Sequence, residues 1–310
     1  MEDELGRKPI EVVAAVIRDA KGNILIAKRP SDKHQGGKWE FPGGKVEGGE
    51  SRRAALAREL QEELGIEVGH SARLISVYHE YQDKSIYLDV YEVTQWEGVA
   101  HGKEGQPIKW VSPQNLNDFE FPAANAPIIE AAILPKYIKI LRPTVTADAF
   151  TQQVLSALAA GQRLLLQNCD ESELTHEQVN WLLDTAASYQ AEVIFQSPPP
   201  LVRHDYNLHL STDELLKAQD KPIAKRVSAS CYTPGELFKA QRLGLDFIFV
   251  GPVLMNSIAH EQKALGWPVF QSLAGRVNIP VYAVGGLSEK DLELAREYGA
   301  QGLASTSFSE

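Results

Sequence analysis

Two rhythms of apolar and polar positions divide the chain. In the first half an apolar run at 12–17 meets the polar turn Asp19-Ala20-Lys21-Gly22-Asn23, and a second run follows at 24–27. Two β-rich runs split by Gly and Asn predict a hairpin. The Gly/Pro-rich loop Trp39-Glu40-Phe41-Pro42-Gly43-Gly44 then leads to a stretch, 51–64, that holds neither Gly nor Pro. Ala54, Ala55, Leu56, Leu60 and Leu64 recur there at helical spacing, with Gly65 placed to cap the C-terminus. Further strand-like runs lie at 74–81, 86–93 and 109–111, and a short helix is predicted over 125–133.

The second half alternates short apolar runs with polar segments of helix length. The runs fall at 137–141, 164–167, 193–196, 208–210, 226–229, 247–250, 281–284 and 302–304. Short strands separated mostly by helices predict a parallel (β/α)8 barrel, with an open doubly wound sheet as the alternative. At about 175 residues such a barrel has short helices or loops. Pro135 and Pro143 flank the join, so the expected domains are 1–134 and 136–310, both of α/β class.

Composition narrows the class. The 310 residues are 44% apolar and 23% charged, ordinary for a globular protein and unlike disordered or collagen-like chains. No run approaches ~18 consecutive apolar residues, so no transmembrane helix and no membrane partner is expected. Met1-Glu2-Asp3-Glu4 is acidic where a secretory leader would be basic. Cys169 and Cys231 are too few for a disulfide framework and wrongly spaced for zinc, which suits a cytoplasmic protein. A net charge of −10 argues against a nucleic-acid polymer as partner. It leaves room for a small anionic substrate, because a bound divalent cation reverses the local field.

The chemistry concentrates on the predicted helix. Glu59, Glu62 and Glu63 stand at i, i+3 and i+4, on one face, with Glu50 before the helix begins. Like charges so placed repel unless neutralised. A hard divalent cation with oxygen ligands does that, and magnesium bound by carboxylates plus substrate phosphates fits; a plain solvated acidic face is the alternative.

The pattern Gly44-x5-Glu50-x7-Arg58-Glu59-Leu60-x-Glu62-Glu63-Leu64-Gly65-Ile66 resembles the Nudix box of the Nudix hydrolases at every specified position. The resemblance implies an α/β/α sandwich and hydrolysis of a nucleoside diphosphate linked to another group, with Mg2+ or Mn2+. It assigns metal ligation to Glu59, Glu62, Glu63 and the backbone of Gly43, and carboxylate orientation to Arg58. Glu59 is also the first candidate for general base, and Glu50 an anchor or a supporting partner.

Segments outside the box are similar to the MutT branch of that family, the 8-oxo-dGTP diphosphatases. These are Ile26-Ala27-Lys28-Arg29-Pro30, Glu40-Phe41-Pro42-Gly43-Gly44-Lys45, Gly102-Lys103-Glu104-Gly105-Gln106-Pro107 and Phe121-Pro122-Ala123-Ala124-Asn125. The similarity implies an oxidised purine nucleoside triphosphate as substrate. Asn125 would read the base, unless it only caps the following helix. Arg29 would contact the base, Phe41 would pack on the purine or ribose unless it is plain core, and His34 would lie near the sugar or phosphates. Glu40 and Gly43 would belong to the substrate pocket, and Glu104 would support the metal or phosphate chemistry.

The second half resembles the thiamine phosphate synthase/TenI family. The resemblance rests on Ile279-Pro280-Val281-Tyr282-Ala283-Val284-Gly285-Gly286-Leu287, on Gly299-Ala300-Gln301-Gly302-Leu303-Ala304, and on Ser228-Ala229-Ser230-Cys231, Gly251-Pro252-Val253 and His260. It implies a phosphate held at Gly285, Gly286 and Ser307, unless the two glycines merely make a tight turn. Where that family carries Gln-x-Arg-x-Lys for a diphosphate, this chain reads Gln167-Asn168-Cys169-Asp170-Glu171, with no cation. Gln196 stands where an Asn is expected, and Leu254-Met255-Asn256-Ser257 replaces a Thr-rich stretch. Synthase activity is therefore not expected, and the barrel's ligand is left as an unidentified phosphorylated compound. A bifunctional protein converting a thiamine precursor, or a sensor without turnover, are the alternatives.

Overall fold

Strand β1 (Ile10–Ile17) is buried on both faces, and that fact sets the layering of the first half of this computed structural model. Val13, Ala15 and Ile17 face helix α1 (Arg52–Leu64), against Ala55, Leu56, Leu60 and Leu64. Ala14 and Val16 face the opposite way, toward Ile128, Ile129 and Ala132 of α2 (Ala126–Ile133). A helix on each side of the sheet is the expected α/β/α sandwich. The structure describes residues 8–32, 35–141, 146–166, 175–196, 206–255 and 263–308.

The predicted hairpin does not form. The turn is present: Asp19 Oδ1 accepts the N–H groups of Lys21 and Asn23, each at 2.8 Å, and Gly22 takes φ +81°. The strands it joins enter different sheets and meet only at an Arg18–Ile24 bridge. β4 (Gly43–Lys45) pairs antiparallel on one edge of β1, and β6 (Ser85–Glu97) pairs parallel on the other. Both edges are thus taken, and β2 (Ile24–Lys28) instead lies between β3 (Trp39–Glu40) and β7 (Ile108–Val111). The first sheet is completed by β5 (Glu67–Glu80), antiparallel to β6.

Helix α1 follows local rules. Ser51 Oγ accepts the Ala54 N–H at 3.2 Å as N-cap, and Gly65 closes the helix in the left-handed conformation, φ +70°.

In the second unit eight strands form a closed parallel barrel, which excludes the open-sheet alternative. They are β8 (Tyr137–Leu141), β9 (Arg163–Leu166), β10 (Val193–Phe195), β11 (Asn207–Leu210), β12 (Arg226–Cys231), β13 (Phe247–Val250), β14 (Val281–Val284) and β15 (Gly302–Ser305), with β15 pairing back onto β8. Alternation sorts the side chains: Leu208, Val227, Ile248, Val281 and Leu303 pack outward among helix residues such as Leu237, Phe270 and Ala295. The intervening residues fill the interior. His209 stands edge-on to Phe249 at 4.8 Å, and Phe249 contacts Tyr282 at 5.6 Å. Both His209 nitrogens meet serine hydroxyls, Ser228 and Ser230, at 2.9 Å. Burial pushes its pKa down to about 3, so the ring is neutral. Contacts along the whole chain separate 1–134 from 135–310, and each unit carries its own core.

Candidate active site

The carboxylate face of α1 looks onto strand β4, and the Gly-Gly pair there makes the approach feasible. A Cβ on Gly44 would sit 2.3 Å from the Glu59 carboxylate, and one on Gly43 would sit 2.1 Å from the Val13 carbonyl. Gly43 also donates its N–H to Glu63 Oε2 at 3.1 Å. Arg58 organises the other side. Its Nη2 and Nε reach the two oxygens of Glu50 at 2.7 and 3.3 Å, and its Nη1 reaches Glu59 at 2.9 Å and Glu62 at 3.3 Å. A further bond runs from Nη2 to the Lys45 carbonyl at 3.0 Å, tying the helix to β4. The Arg58 cation holds the Glu50 carboxyl below its ordinary pKa, chiefly through these hydrogen bonds.

The three helix carboxylates separate. Glu59 and Glu63 line a cleft of about 400 Å3, shared with Glu40, Gly43, Gly44 and Glu104, whereas Glu62 is half-exposed beside Arg58. Among the described residues no three acidic, imidazole or thiol groups converge closely enough to grip an ion. One physical reason is visible: Arg58 draws Glu59 and Glu62 toward itself, while the Gly43 N–H tethers Glu63. The donors still suit a hard cation. Burial, with Glu40, Glu59 and Glu104 nearby, pushes the Glu63 pKa up to about 8, against the pull of the Gly43 N–H. Such a surplus of negative charge on hard oxygens is what Mg2+ or Mn2+ relieves.

Glu104 reaches the cleft from a loop that sequence pattern alone leaves far from the helix. His101 N–H and Lys103 N–H bond to the carbonyls of Leu64 and Glu63 at 3.1 and 2.9 Å, and Lys103 Nζ bonds to that of Gln61 at 2.9 Å. The last turn of α1 carries no basic residue of its own, so this loop supplies the capping donors and the cation that a helix C-terminus favours.

The far end of the cleft is lined by aromatic, guanidinium and amide groups. Phe41 stacks on Phe121 at 5.4 Å and belongs to the core, and it also lines the cleft. Arg29 pairs with Glu40 inside the cleft, and burial still raises the Glu40 pKa despite that partner. Asn125 is 7% exposed, and its side chain makes no capping bond to α2. Among the described residues its amide has no hydrogen-bond partner at all. Tyr81, which the sequence reading missed, lines the same end, and its hydroxyl bonds to the backbone of Ala124. It comes from the β5–β6 turn, distant in sequence, and no motif marks it. His34 lies outside the described residues.

Residues 13–131 match the NUDIX domain family, and residues 139–308 match the thiamine monophosphate synthase (TMP-TENI) family. Over 122 residues the chain is 43% identical to the 8-oxo-dGTP diphosphatase of Escherichia coli K12, covering 39% of this chain and 95% of that protein. This chain is a Nudix protein joined to a TMP-TENI barrel. The Nudix domain is also 43% identical over 124 residues to a CTP pyrophosphohydrolase of Escherichia coli K12, covering 40% of this chain and 91% of that one. A solved MutT structure, from work on Aliivibrio salmonicida and Vibrio cholerae, shares 42% identity over 41% of this chain and 98% of its own, with a TM-score of 0.37. Nudix hydrolases act with divalent cations, and these homologues act on nucleoside triphosphates.

In the TMP-TENI barrel, Gly285 and Gly286 take φ +93° and +67°. A Cβ on Gly285 would lie 2.5 Å from Pro252, and one on Gly286 would lie 2.6 Å from the Met255 carbonyl. The close passage of 252–255 by itself calls for glycine here, so the tight-turn reading suffices for both. The Ser307 N–H is donated to Ser305 Oγ at 3.1 Å, which engages the donor expected to face a phosphate. The 167–171 stretch and His260 lie outside the described residues. No helix among the described residues is long and apolar enough to cross a membrane.

Proposed function

We propose that the Nudix domain hydrolyses 8-oxo-dGTP, and 8-oxo-GTP with it, to the monophosphate and pyrophosphate, using Mg2+ with Mn2+ as a substitute. The observation that carries this reading is the amide of Asn125, which has no hydrogen-bond partner among the described residues and lines the same cleft as Glu59, Glu63 and Glu104. 8-Oxoguanine presents an N7–H donor and an O8 acceptor where guanine has only an N7 acceptor. An amide both donates and accepts, so it matches the oxidised edge and is left partly unpaired by the normal one. Arg29 beside it, held by Glu40, contacts the base, and Phe41 backs the ring.

Glu59, Glu62 and Glu63, with the backbone of Gly43, would hold the cation, which would supply charge to neutralise the triphosphate and to acidify a water. Glu59 accepts the proton from the attacking water. The new bond forms from that oxygen to the β-phosphorus, and the bond from the β-phosphorus to the bridging oxygen breaks. The 8-oxo-dGMP leaves with the bridging oxygen, and pyrophosphate carries the oxygen from water. Arg58 offsets the mutual repulsion of Glu50, Glu59 and Glu62 and orients them, and Glu104 supports the metal or phosphate end. In the cytoplasm this reaction removes oxidised guanine from the nucleotide pool before replication and so limits mutation.

A pyrimidine triphosphate is the second reading, favoured by the identity to the CTP pyrophosphohydrolase. The barrel, in our reading, does not make thiamine phosphate, because the Gln167–Glu171 stretch lacks the cations that would hold a diphosphate. A bifunctional protein would require a phosphate at Gly285 and Gly286. The test is steady-state hydrolysis of 8-oxo-dGTP, dGTP and CTP by the full chain with Mg2+. A large preference for 8-oxo-dGTP, expressed mainly in KM, supports the assignment; equal rates with dGTP, or preference for CTP, remove it.

A further inference from the structure

We infer that Gln106 is a positioning residue that fixes Glu104 to the metal-facing helix. This rests on the role given above to Glu104. Both ends of the Gln106 amide are engaged: Nε2 donates to the Glu63 carbonyl at 2.9 Å, and Oε1 accepts the backbone N–H of Glu104 at 2.9 Å. One side chain therefore joins the peptide of one cleft carboxylate to the peptide of another. The loop is tight enough to transmit this. Gly105 sits at φ +82° and donates its N–H to the Gly102 carbonyl at 3.0 Å. A Cβ on Gly102 would lie 1.8 Å from the Gln106 carbonyl.

The loop has other anchors, and they separate positioning from mere capping. Lys103 N–H shares the same Glu63 carbonyl, Lys103 Nζ holds that of Gln61, and His101 N–H holds that of Leu64. None of these three reaches the Glu104 peptide. Removing the Gln106 amide thus leaves the loop docked and releases Glu104 alone. An unanchored carboxylate costs turnover more than binding, because preorganised placement matters most where charge develops in the transition state.

The test uses Gln106→Leu and Gln106→Glu in the full chain. The Glu variant keeps an acceptor for Glu104 N–H but sets an oxygen against the Glu63 carbonyl, so it breaks the same link. Each is expected to lower kcat for 8-oxo-dGTP with Mg2+ about 10- to 100-fold, with KM within about twofold. Combined with Glu104→Gln, either should cost less than about twofold more, the signature of two residues acting through one step. Independently of activity, amide hydrogen exchange in Gln106→Leu should accelerate at Glu104 and stay protected at Lys103. Loss of protection at both amides, or at neither, overturns the inference, as does an undiminished cost of Gln106→Leu in the Glu104→Gln background. If Glu104→Gln alone leaves kcat intact, the role given to Glu104 fails as well. Failure of the coupling with Glu104→Gln still damaging removes Gln106 only.

Discussion

Asn125→Ala separates recognition from architecture within one substitution. The amide makes no hydrogen bond among the described residues, and it does not cap α2. Truncating it therefore costs the fold little, within about 1 kcal/mol, because no bond to a described residue is lost and the site borders an open cleft. For a domain of this size that is about 3–4 °C at most in the Nudix transition. A ligand base meets a different situation. The amide can make two hydrogen bonds to the oxidised edge, each worth about 0.5–1.5 kcal/mol net. Their loss totals about 1–3 kcal/mol, or about 5- to 150-fold in kcat/KM at 1.36 kcal/mol per decade. The normal base gains less from the amide, so kcat/KM for dGTP should fall by a smaller factor and selectivity should shrink. The assay is steady-state pyrophosphate release with 8-oxo-dGTP and dGTP, with thermal unfolding on the same preparation. Equal losses for the two nucleotides would refute base reading. A drop beyond 10 °C with kcat/KM unchanged would make Asn125 a structural residue.

Three further outcomes are expected. Gly44→Ala places a methyl 2.3 Å from the Glu59 carboxylate, so Mg2+-dependent turnover should fall by more than about 100-fold while circular dichroism is unchanged; near-normal kcat would displace Glu59 from the reaction. Glu192 in the barrel has its pKa lowered below 4.5 by Arg163, Lys225 and Arg226, which outweigh its burial. Its stabilisation is present above the unfolded value and is lost as pH falls through the folded one, so Glu192→Gln should destabilise the barrel at pH 7 and cease to differ from the parent at strongly acid pH. A gap that widens on acidification would reverse that sign. The buried Cys231 thiol, pushed up to about 12 chiefly by burial, should resist Ellman's reagent at pH 8 in a Cys169→Ser background and react fully in guanidinium; rapid native reaction would contradict its placement.

Helix α1 shows how far local rules reach. Ser51 before the helix, Gly65 after it and leucines at helical spacing mark its span without reference to the rest of the chain. Glu62 and Glu63 in its last turn oppose the helix dipole, and that local penalty is itself a sign of function. Alternating runs similarly marked the eight barrel strands, because strand period and turn chemistry operate over a few residues. The site was legible to the extent that its groups lie on α1 or in the four short segments that resemble known relatives. Tyr81 carried no such mark, and Gln106 carried one only as part of its loop, with nothing to show its bond to Glu63, since each acts on a segment it meets only in three dimensions.

What the sequence alone determined was therefore element type, element order and the stock of carboxylates. Tertiary structure decided which edges and which partners were left. β1 and β2 were predicted to pair, yet β4 and β6 occupy both edges of β1, and edge occupancy is a property of the whole sheet. Helical spacing put Glu59, Glu62 and Glu63 together, but Arg58 and the Gly43 N–H divided them. Asn125 precedes a helix as a cap would, yet its amide is turned to the cleft rather than to the helix N–H groups. Periodicity and capping are set within one turn or strand, whereas edges, burial and competing partners depend on segments that only folding brings together.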